Sequence, residues 1–478
     1  MYKIKFGTDG WRGRIAEEYT FHNLRRCAQG VATYLQDVGL AERGLVIGYD
    51  QRFLADHFAR AAAEVLAANG IRVWLTSGAT PTPTISYSVV DKQAGGAINI
   101  TASHNSPEDC GFKVRGPNGS ALPPLEVTKL EERIPTDSSG IKRMKLDDAL
   151  SDGLVSKFDP RPAYTKQLHR LIDLESIKAA GLKVLVDCMW GNGIGWFSSL
   201  LAGGKTTVVE VHNERHPIFP QMVRPEPVVP NVNHGLSFVP KVGADVAIIT
   251  DGDADRVGLS DEQGHLIDSL RVYALLAYYF LEVRGERGAI VKTISSTKML
   301  NKLAKLYNVP VYETKVGVKY VAPKMMEVDA LIGGEESGGY IFRGHVPERD
   351  GILAGLFLLD MIVKTGLRPS QLLDQLFELV GAHYYKRIDS RFDRSKKAET
   401  QALVSAAQPS TIGGMKVVDK RTISGTQFIM EDGGWLLIRF SGTEPVIRIY
   451  CETTNENQIE AILADGTRIA GLSKIKAL

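Results

Sequence analysis

Apolar positions along the chain fall into two alternating rhythms. Short runs at Leu45–Tyr49, Ile71–Leu75 and Ala97–Ile100 carry the continuous hydrophobicity of strands buried on both faces. Between them Leu24, Ala28, Val31, Leu35 and Val38 recur at helical spacing, and residues 54–69 form an alanine-rich stretch of helical pattern. Strand, helix and strand repeated in this order predict an α/β domain on a parallel-rich sheet. Two further units of the same kind follow. Lys183–Cys188 and Asp245–Thr250 read as strands ending at loops; Leu331–Ile332 leads into a glycine-rich loop, and Ile352–Val363 predicts a strongly apolar helix. The C-terminal stretch differs. Trp435–Phe440 and Val446–Glu452 read as two strands around Ser441-Gly442-Thr443-Glu444-Pro445, a hairpin signature, before a final helix over 456–472. Polar stretches near 136–160 and 256–264 mark expected joins. The pattern therefore gives three α/β units and a smaller α+β unit, with boundaries at 1–155, 156–257, 258–375 and 376–478.

Composition narrows the class. With 478 residues and 44% hydrophobic content, the chain can bury several cores. The 57 Lys and Arg nearly balance the 55 Asp and Glu, which argues against a dominant nucleic-acid partner. Cys27, Cys110, Cys188 and Cys451 are scattered without metal or redox spacing, as suits a reducing cytosol. Residues 1–13 carry no apolar signal core, and no apolar run approaches the roughly 20 residues that cross a bilayer. The expected setting is soluble and cytoplasmic, without membrane association.

Four loops carry candidate chemistry. Thr101-Ala102-Ser103-His104-Asn105 follows the run ending at Ile100, where open α/β sheets place ligands, so Ser103 is a candidate nucleophile; the alternative is a helix N-cap. No G-x-S-x-G elbow surrounds it, which leaves an ordinary hydrolase unsupported. Asp251-Gly252-Asp253-Ala254-Asp255-Arg256 sets three carboxylates at alternate positions, which repel one another unless a cation holds them. Oxygen-only ligands favour a hard ion such as magnesium. Glu262 stands at the twelfth position of an EF-hand count, but Arg256 replaces the required glycine and a strand precedes the loop, so that reading fails. A solvated acidic turn is the remaining alternative. Gly333-Gly334-Glu335-Glu336-Ser337-Gly338-Gly339 offers carboxylates and a hydroxyl to sugar hydroxyls, or simply glycines for tight turns. Arg439-Phe440-Ser441-Gly442-Thr443, with Arg448 beyond, suits a phosphate cradle or a plain hairpin turn.

Taken in this order, and with Phe6-Gly7-Thr8-Asp9-Gly10-Trp11-Arg12-Gly13 at the start, these loops resemble the α-D-phosphohexomutase superfamily, which includes phosphoglucomutases and phosphomannomutases. The resemblance spans essentially the whole chain. It implies three related α/β (mixed-sheet) domains plus a smaller C-terminal α+β domain around a central cleft, each contributing one loop. By resemblance Ser103 carries the catalytic phosphoryl group, and Asp251, Asp253 and Asp255 bind Mg2+ together with a phosphoserine oxygen. Arg12, His104 and Lys113 match positions lining the transfer site, their acid and base roles unassigned. Lys319, in Thr314-Lys315-Val316-Gly317-Val318-Lys319, is a candidate substrate contact. Glu335 and Ser337 match the sugar loop, and Arg439, Ser441, Gly442, Thr443 and Arg448 the loop holding the non-reacting phosphate. One departure stands out: Ser106 separates Asn105 from Pro107, where the family commonly places proline directly.

The activity implied is interconversion of sugar 1- and 6-phosphates through a 1,6-bisphosphate, with glucose 1,6-bisphosphate as activator and sugar phosphates as the partners, in a monomer or homodimer. The loop around Glu336 resembles glucose-type enzymes more than the glutamine-containing loop of phosphoglucosamine mutases or the Glu-Met-Ser-Gly form of dual phosphomannomutases. Mannose, glucosamine and pentose phosphates stay open, as does a glucose 1,6-bisphosphate synthase. A non-catalytic paralogue has no physical need for Ser103 and three aspartates.

Overall fold

The computed structural model describes residues 2–7, 9–392, 394–440 and 446–472. The first sheet contains β1 (Trp11–Arg14), β2 (Leu45–Tyr49), β3 (Val73–Thr76), β4 (Ala97–Ile100), β5 (Asp109–Arg115) and β6 (Val155–Phe158) in the order β1-β5-β4-β2-β3-β6. β4, β2, β3 and β6 run parallel, and β5 turns back antiparallel to β4. Val46, Ile47, Ile98 and Ile100 are buried, which explains their unbroken apolar runs. Helices Phe21–Asp37 and Ala55–Ala68 cover one face; Leu24, Ala28, Val31 and Leu35 point into it as their spacing predicts.

The second sheet repeats the plan with β7 (Lys183–Asp187), β8 (Thr207–Val211), β9 (Val246–Thr250), β10 (Val257–Ser260) and β11 (Leu266–Ile267). The third does so with β12 (Ile290–Thr293), β13 (Val311–Thr314), β14 (Ile332–Gly334) and β15 (Tyr340–Phe342). In each, the first strand lies parallel between the second and third, and the fourth returns antiparallel to the third. Thus β4–β5, β9–β10 and β14–β15 are equivalent connections. They hold the serine, aspartate and Glu335–Gly339 loops respectively. The expected mixed-sheet relatedness of three α/β domains is what the topology shows.

The last sheet is antiparallel: β16 (Tyr384–Arg391), β17 (Thr411–Ile412), β18 (Met415–Arg421), β19 (Thr426–Met430), β20 (Trp435–Phe440) and β21 (Val446–Thr453), in the order β16-β21-β20-β19-β18-β17. Helix Ile459–Ile469 packs on it through Ile459, Ile462 and Leu463. β20 and β21 pair as the expected hairpin, Trp435 opposite Glu452.

Sheet membership moves the expected boundaries. β6 belongs with the first sheet, so the first join falls after Phe158 rather than at 155. β10 and β11 complete the second sheet, and the polar stretch at 256–264 is their hairpin rather than a join, which shifts the second boundary past Ile267. Helix Pro369–Val380 is continuous through 375 and ends at Gly381, moving the third boundary there.

The second and third units share one core. Helix Gly351–Thr365 is buried nearly all round, and its Ile352, Leu356 and Phe357 join Trp196, Phe197 and Ile248 from the second unit. A Cβ on Gly355 would lie 2.7 Å from the Phe197 ring, so glycine permits this approach. The fourth unit docks on the third through Leu270 and Ile294 against Ile429, Trp435, Leu437 and Tyr450. All four cysteines are buried and unpaired. Among the described residues no helix is long and apolar enough to cross a membrane.

Candidate active site

The serine loop runs from β4 straight into β5, so no helix follows Ser103 and the N-cap reading falls away. Ser103 is buried and adopts a left-handed backbone, φ 52°, which a non-glycine residue holds only when its surroundings impose it. Its hydroxyl donates to Asp251 Oδ2 at 2.7 Å and lies 3.2 Å from His104 Nδ1. The two loops meet at van der Waals limits: a Cβ on Gly252 would stand 2.4 Å from the Ser103 carbonyl oxygen.

Asp251, Asp253 and Asp255 are fully buried, and one oxygen from each lies within 4.8 Å of the others. Asp251 Oδ1 accepts the backbone N–H groups of Asp255 and Arg256, at 3.1 and 3.2 Å. Thr82 Oγ1 donates to Asp253 Oδ2. Among the described residues, Asp253 Oδ1 and Asp255 Oδ1 accept no hydrogen bond, which is costly for buried carboxylate oxygens. Burial, then the neighbouring Asp253 and Asp255, push the Asp251 carboxyl well above the usual range. Unsatisfied, mutually repelling, all-oxygen donors fit a hard divalent cation, and the solvated-turn reading fails because nothing in the triad is solvated.

Lys113 and two arginines oppose this charge. β1 pairs with β5, placing Arg12 opposite Gly111 and bringing Asp9 beside Lys113. Lys113 Nζ contacts Asp9 and Asp253 at 2.8 Å and Asp255 at 3.2 Å. Burial alone would lower its pKa, but these three carboxylates raise it, so Lys113 is a fixed cation here. Arg349 Nη2 reaches Asp9 at 2.7 Å and Asp255 at 2.6 Å, while Arg115 bridges Asp9 and Glu348 at 2.9 and 2.6 Å. Against the upward push of burial, Arg115, Lys113 and Arg349 hold Asp9 well below the usual carboxylate range.

The opposite side of Ser103 is positive. Burial, then Arg256, Arg12, Arg224 and Arg448, drive the His104 pKa far down, so its ring is neutral. Arg12 Nη1 donates to Asn105 Oδ1 at 2.6 Å, steadying the loop from β1. Glu226 sits among Arg224, Arg256 and Arg387, at 2.7, 3.0 and 3.9 Å. Arg448 lies on β21 opposite Arg439 on β20, and its Nε is 3.5 Å from Asp389.

The remaining expected contacts are distributed around this centre. Glu335 is buried, 3.5 Å from Arg349; burial, opposed by Arg349 and reinforced by Glu336, pushes its carboxyl up to about 7. Glu336 turns inward, accepting from Ser295 at 2.6 Å and Thr293 at 3.3 Å. Ser337 stands half-buried at the tip of the same loop. Lys319, in helix Val318–Glu327, borders a small cleft shared with Asp9 and Arg115. Ser441, Gly442 and Thr443 lie outside the described residues. Sequence reading gave no role to Arg52, Asp9, Thr82, Arg115, Glu226, Arg256 or Arg349. Three of these left a signal: Arg52 and Arg256 are charged residues just past the carboxyl end of a buried parallel strand, and Asp9 stands within the amino-terminal signature.

With this geometry in view, the comparisons are decisive at family level. Residues 3–140, 162–264 and 268–380 match alpha/beta/alpha domains I, II and III of phosphoglucomutase/phosphomannomutase, and 389–468 match its C-terminal domain. The chain belongs to the phosphoglucomutase/phosphomannomutase family, within the α-D-phosphohexomutase superfamily, and is an isomerase-class phosphotransferase. It is 33% identical to a phosphoglucomutase/phosphomannomutase of Thermococcus kodakarensis over 97% of this chain and 98% of the relative. A phosphoglucosamine mutase of Desulforamulus reducens is 30% identical over 98% and 99%. The solved structure of a Thermus thermophilus protein assigned as a phosphomannomutase superposes with TM-score 0.86 and 31% identity, covering 98% and 99%.

Proposed function

We propose that Ser103 carries the transferred phosphoryl group and that the substrates are glucose 1-phosphate and glucose 6-phosphate, interconverted through glucose 1,6-bisphosphate. One observation carries the reading: the buried Ser103 hydroxyl lies between the Asp251 carboxylate and the neutral His104 ring, at 2.7 and 3.2 Å. Phosphoryl transfer needs positioning and charge neutralisation more than covalent help. Asp251, Asp253 and Asp255 would hold Mg2+ together with an oxygen of phosphorylated Ser103, and the ion would draw charge from the phosphoryl oxygens.

The protein's own groups do the rest. Arg439, Ser441, Gly442, Thr443 and Arg448 hold the 1-phosphate, leaving the 6-hydroxyl facing Ser103. That oxygen bonds to phosphorus as the bond from Ser103 Oγ breaks; the hydroxyl proton passes to the departing Ser103 Oγ through the His104 ring, whose other nitrogen takes a proton as Nδ1 gives one up, so the ring is neutral before and after. In the return step the bisphosphate is reversed, Ser103 Oγ takes the 1-phosphoryl group as its bond to the sugar 1-oxygen breaks, and the Ser103 proton passes back through the same ring to that oxygen. Lys113 is unsuited to that exchange because three carboxylates hold its proton, so it balances charge instead. Arg12 steadies the loop, while Glu335, Ser337 and Lys319 meet the sugar. The Glu335-Glu336-Ser337 sequence supports glucose over the other hexoses.

The test follows phosphorus NMR of the purified protein with Mg2+, a trace of glucose 1,6-bisphosphate, and separately the 1-phosphates of glucose, mannose, glucosamine and ribose. Fastest conversion of glucose 1-phosphate, abolished in Ser103→Ala, is expected. Faster conversion of another sugar replaces the substrate assignment, accumulating bisphosphate points to a synthase, and full activity in Ser103→Ala removes the phosphoserine.

A further inference from the structure

We propose that Arg52 is a positioning residue for phosphoryl transfer, a clamp that shapes the serine loop through the loop's own carbonyl groups; this rests on Ser103 being the phosphoryl carrier. Arg52 is 1% exposed and follows β2, the strand beside β4. Its Nη2 donates to the carbonyls of Ser103 and Asn105, each at 2.6 Å. Its Nη1 donates to the carbonyls of Ser106 and Asp109, at 2.8 and 3.0 Å. Asp50, also buried, fixes the guanidinium from behind, 3.3 Å from Nε and accepting the Arg52 backbone N–H at 3.0 Å. The ring of Phe219 lies 5.0 Å from the guanidinium carbon.

Physics makes this more than packing. Four carbonyl dipoles converging on one point repel each other, and a left-handed backbone is strained for a non-glycine residue such as Ser103. Neither the carbonyls nor Ser103 would choose this turn unaided. A planar cation with a fixed fork of donors meets all four oxygens, whereas a lysine offers a single compact ammonium. The same Ser103 carbonyl packs against Gly252, so the clamp also sets how far the serine loop stands from the aspartates. In the other two units the loop after the first strand also holds the candidate loop: Asn192 N, past β7, donates to Gly252 O at 3.0 Å, and Ser295, past β12, donates to Glu336 at 2.6 Å. Of these three loops the first unit's supplies a cation, and the loop it holds carries Ser103.

Arg52→Lys, Arg52→Ala and Ser103→Ala are compared for kcat, KM for glucose 1-phosphate, and the rate at which Ser103 takes a phosphoryl group from glucose 1,6-bisphosphate. Expected for Arg52→Ala is a loss of kcat and phosphorylation rate on the order of 100-fold, with KM within about 3-fold, and partial recovery on adding millimolar guanidinium. Arg52→Lys loses less and gains nothing from guanidinium. Unchanged kcat in either variant, or lost kcat that guanidinium does not restore in a folded Arg52→Ala, overturns the clamp. If Arg52→Ala does not fold, Arg52→Lys decides by retention or loss of kcat in the folded protein; failure of both to fold assigns Arg52 to stability alone and also overturns it. Activity in Ser103→Ala sinks the parent reading instead, while an inactive Ser103→Ala beside active Arg52 variants sinks only the clamp.

Discussion

At the level of single residues, burial sets the direction of most titrations and the adjacent charges then choose which groups stay ionised. His104 is neutral because desolvation and four arginines act in the same sense. Lys113 stays charged because three carboxylates outweigh its desolvation. Glu335 falls between, its carboxyl raised to about 7 despite Arg349. It is protonated below that pH and a carboxylate acceptor above it. If it accepts from a sugar hydroxyl, kcat/KM rises through pH 7, and in Glu335→Gln that limb disappears from the pH profile. A limb that persists in the variant assigns the titration elsewhere. Ser103 and the three aspartates were legible in the sequence because each directly follows an apolar strand run. The cationic frame of Arg115 and Arg349 was not: Arg349 reaches Asp9 across 340 positions of chain, and nothing in local spacing marks such a pair.

At the level of elements, the three α/β units use one device. Each places its candidate loop on the connection between the third strand and its antiparallel fourth, and contacts it from the loop after the first strand. The neighbouring carboxyl ends of parallel strands make this possible, since β2 lies beside β4, β7 beside β9 and β12 beside β14. Contact between loops of different units is then the tightest constraint. Gly252→Ala should clash with the Ser103 carbonyl, separating serine from aspartates. We expect activity and Mg2+ affinity to fall by at least 10-fold, checked by turnover and by metal titration. Gly140→Ala, where a Cβ meets nothing within 4 Å, should leave both unchanged. Equal behaviour of the two variants would remove the close approach as a functional constraint. The strands and helices themselves were readable from periodicity; the joins were not, because β6 and β10 are short, partly polar in neighbourhood, and assigned by pairing rather than by composition.

For the molecule as a whole, Glu226 of the second unit pairs with Arg387 of the fourth, at 3.9 Å. Burial pushes its carboxyl up, but Arg224, Arg387, Arg256 and Arg448 prevail and hold it down to about 2. A folded value below the ordinary 4.5 means that the folded state binds fewer protons in this window. Its contribution, on the order of 3 kcal/mol, is therefore present above about pH 4.5 and lost as pH falls toward 2. Glu226→Gln should lower the thermal midpoint at neutral pH by on the order of 5 °C and flatten its acid dependence in that window. Midpoints measured across the pH series check both; an unchanged slope would mean that the arginines find other counter-ions.

The sequence by itself determined the number and kind of units, the loops that hold the candidate chemistry, and the oxygen-only character of the candidate cation site. These depend on local rules: hydrophobic periodicity, and residue types that follow a strand end. Only the tertiary structure decided which charges face one another, because strand pairing between β1 and β5, and packing of one unit's loop on another's, join residues with no common local pattern. That is why Asp9, Arg52, Glu226 and Arg349 emerge from the fold, while Ser103, Asp251, Asp253 and Asp255 could be read from the chain: electrostatic partners are chosen by distance in space, and burial then fixes what charge each can keep.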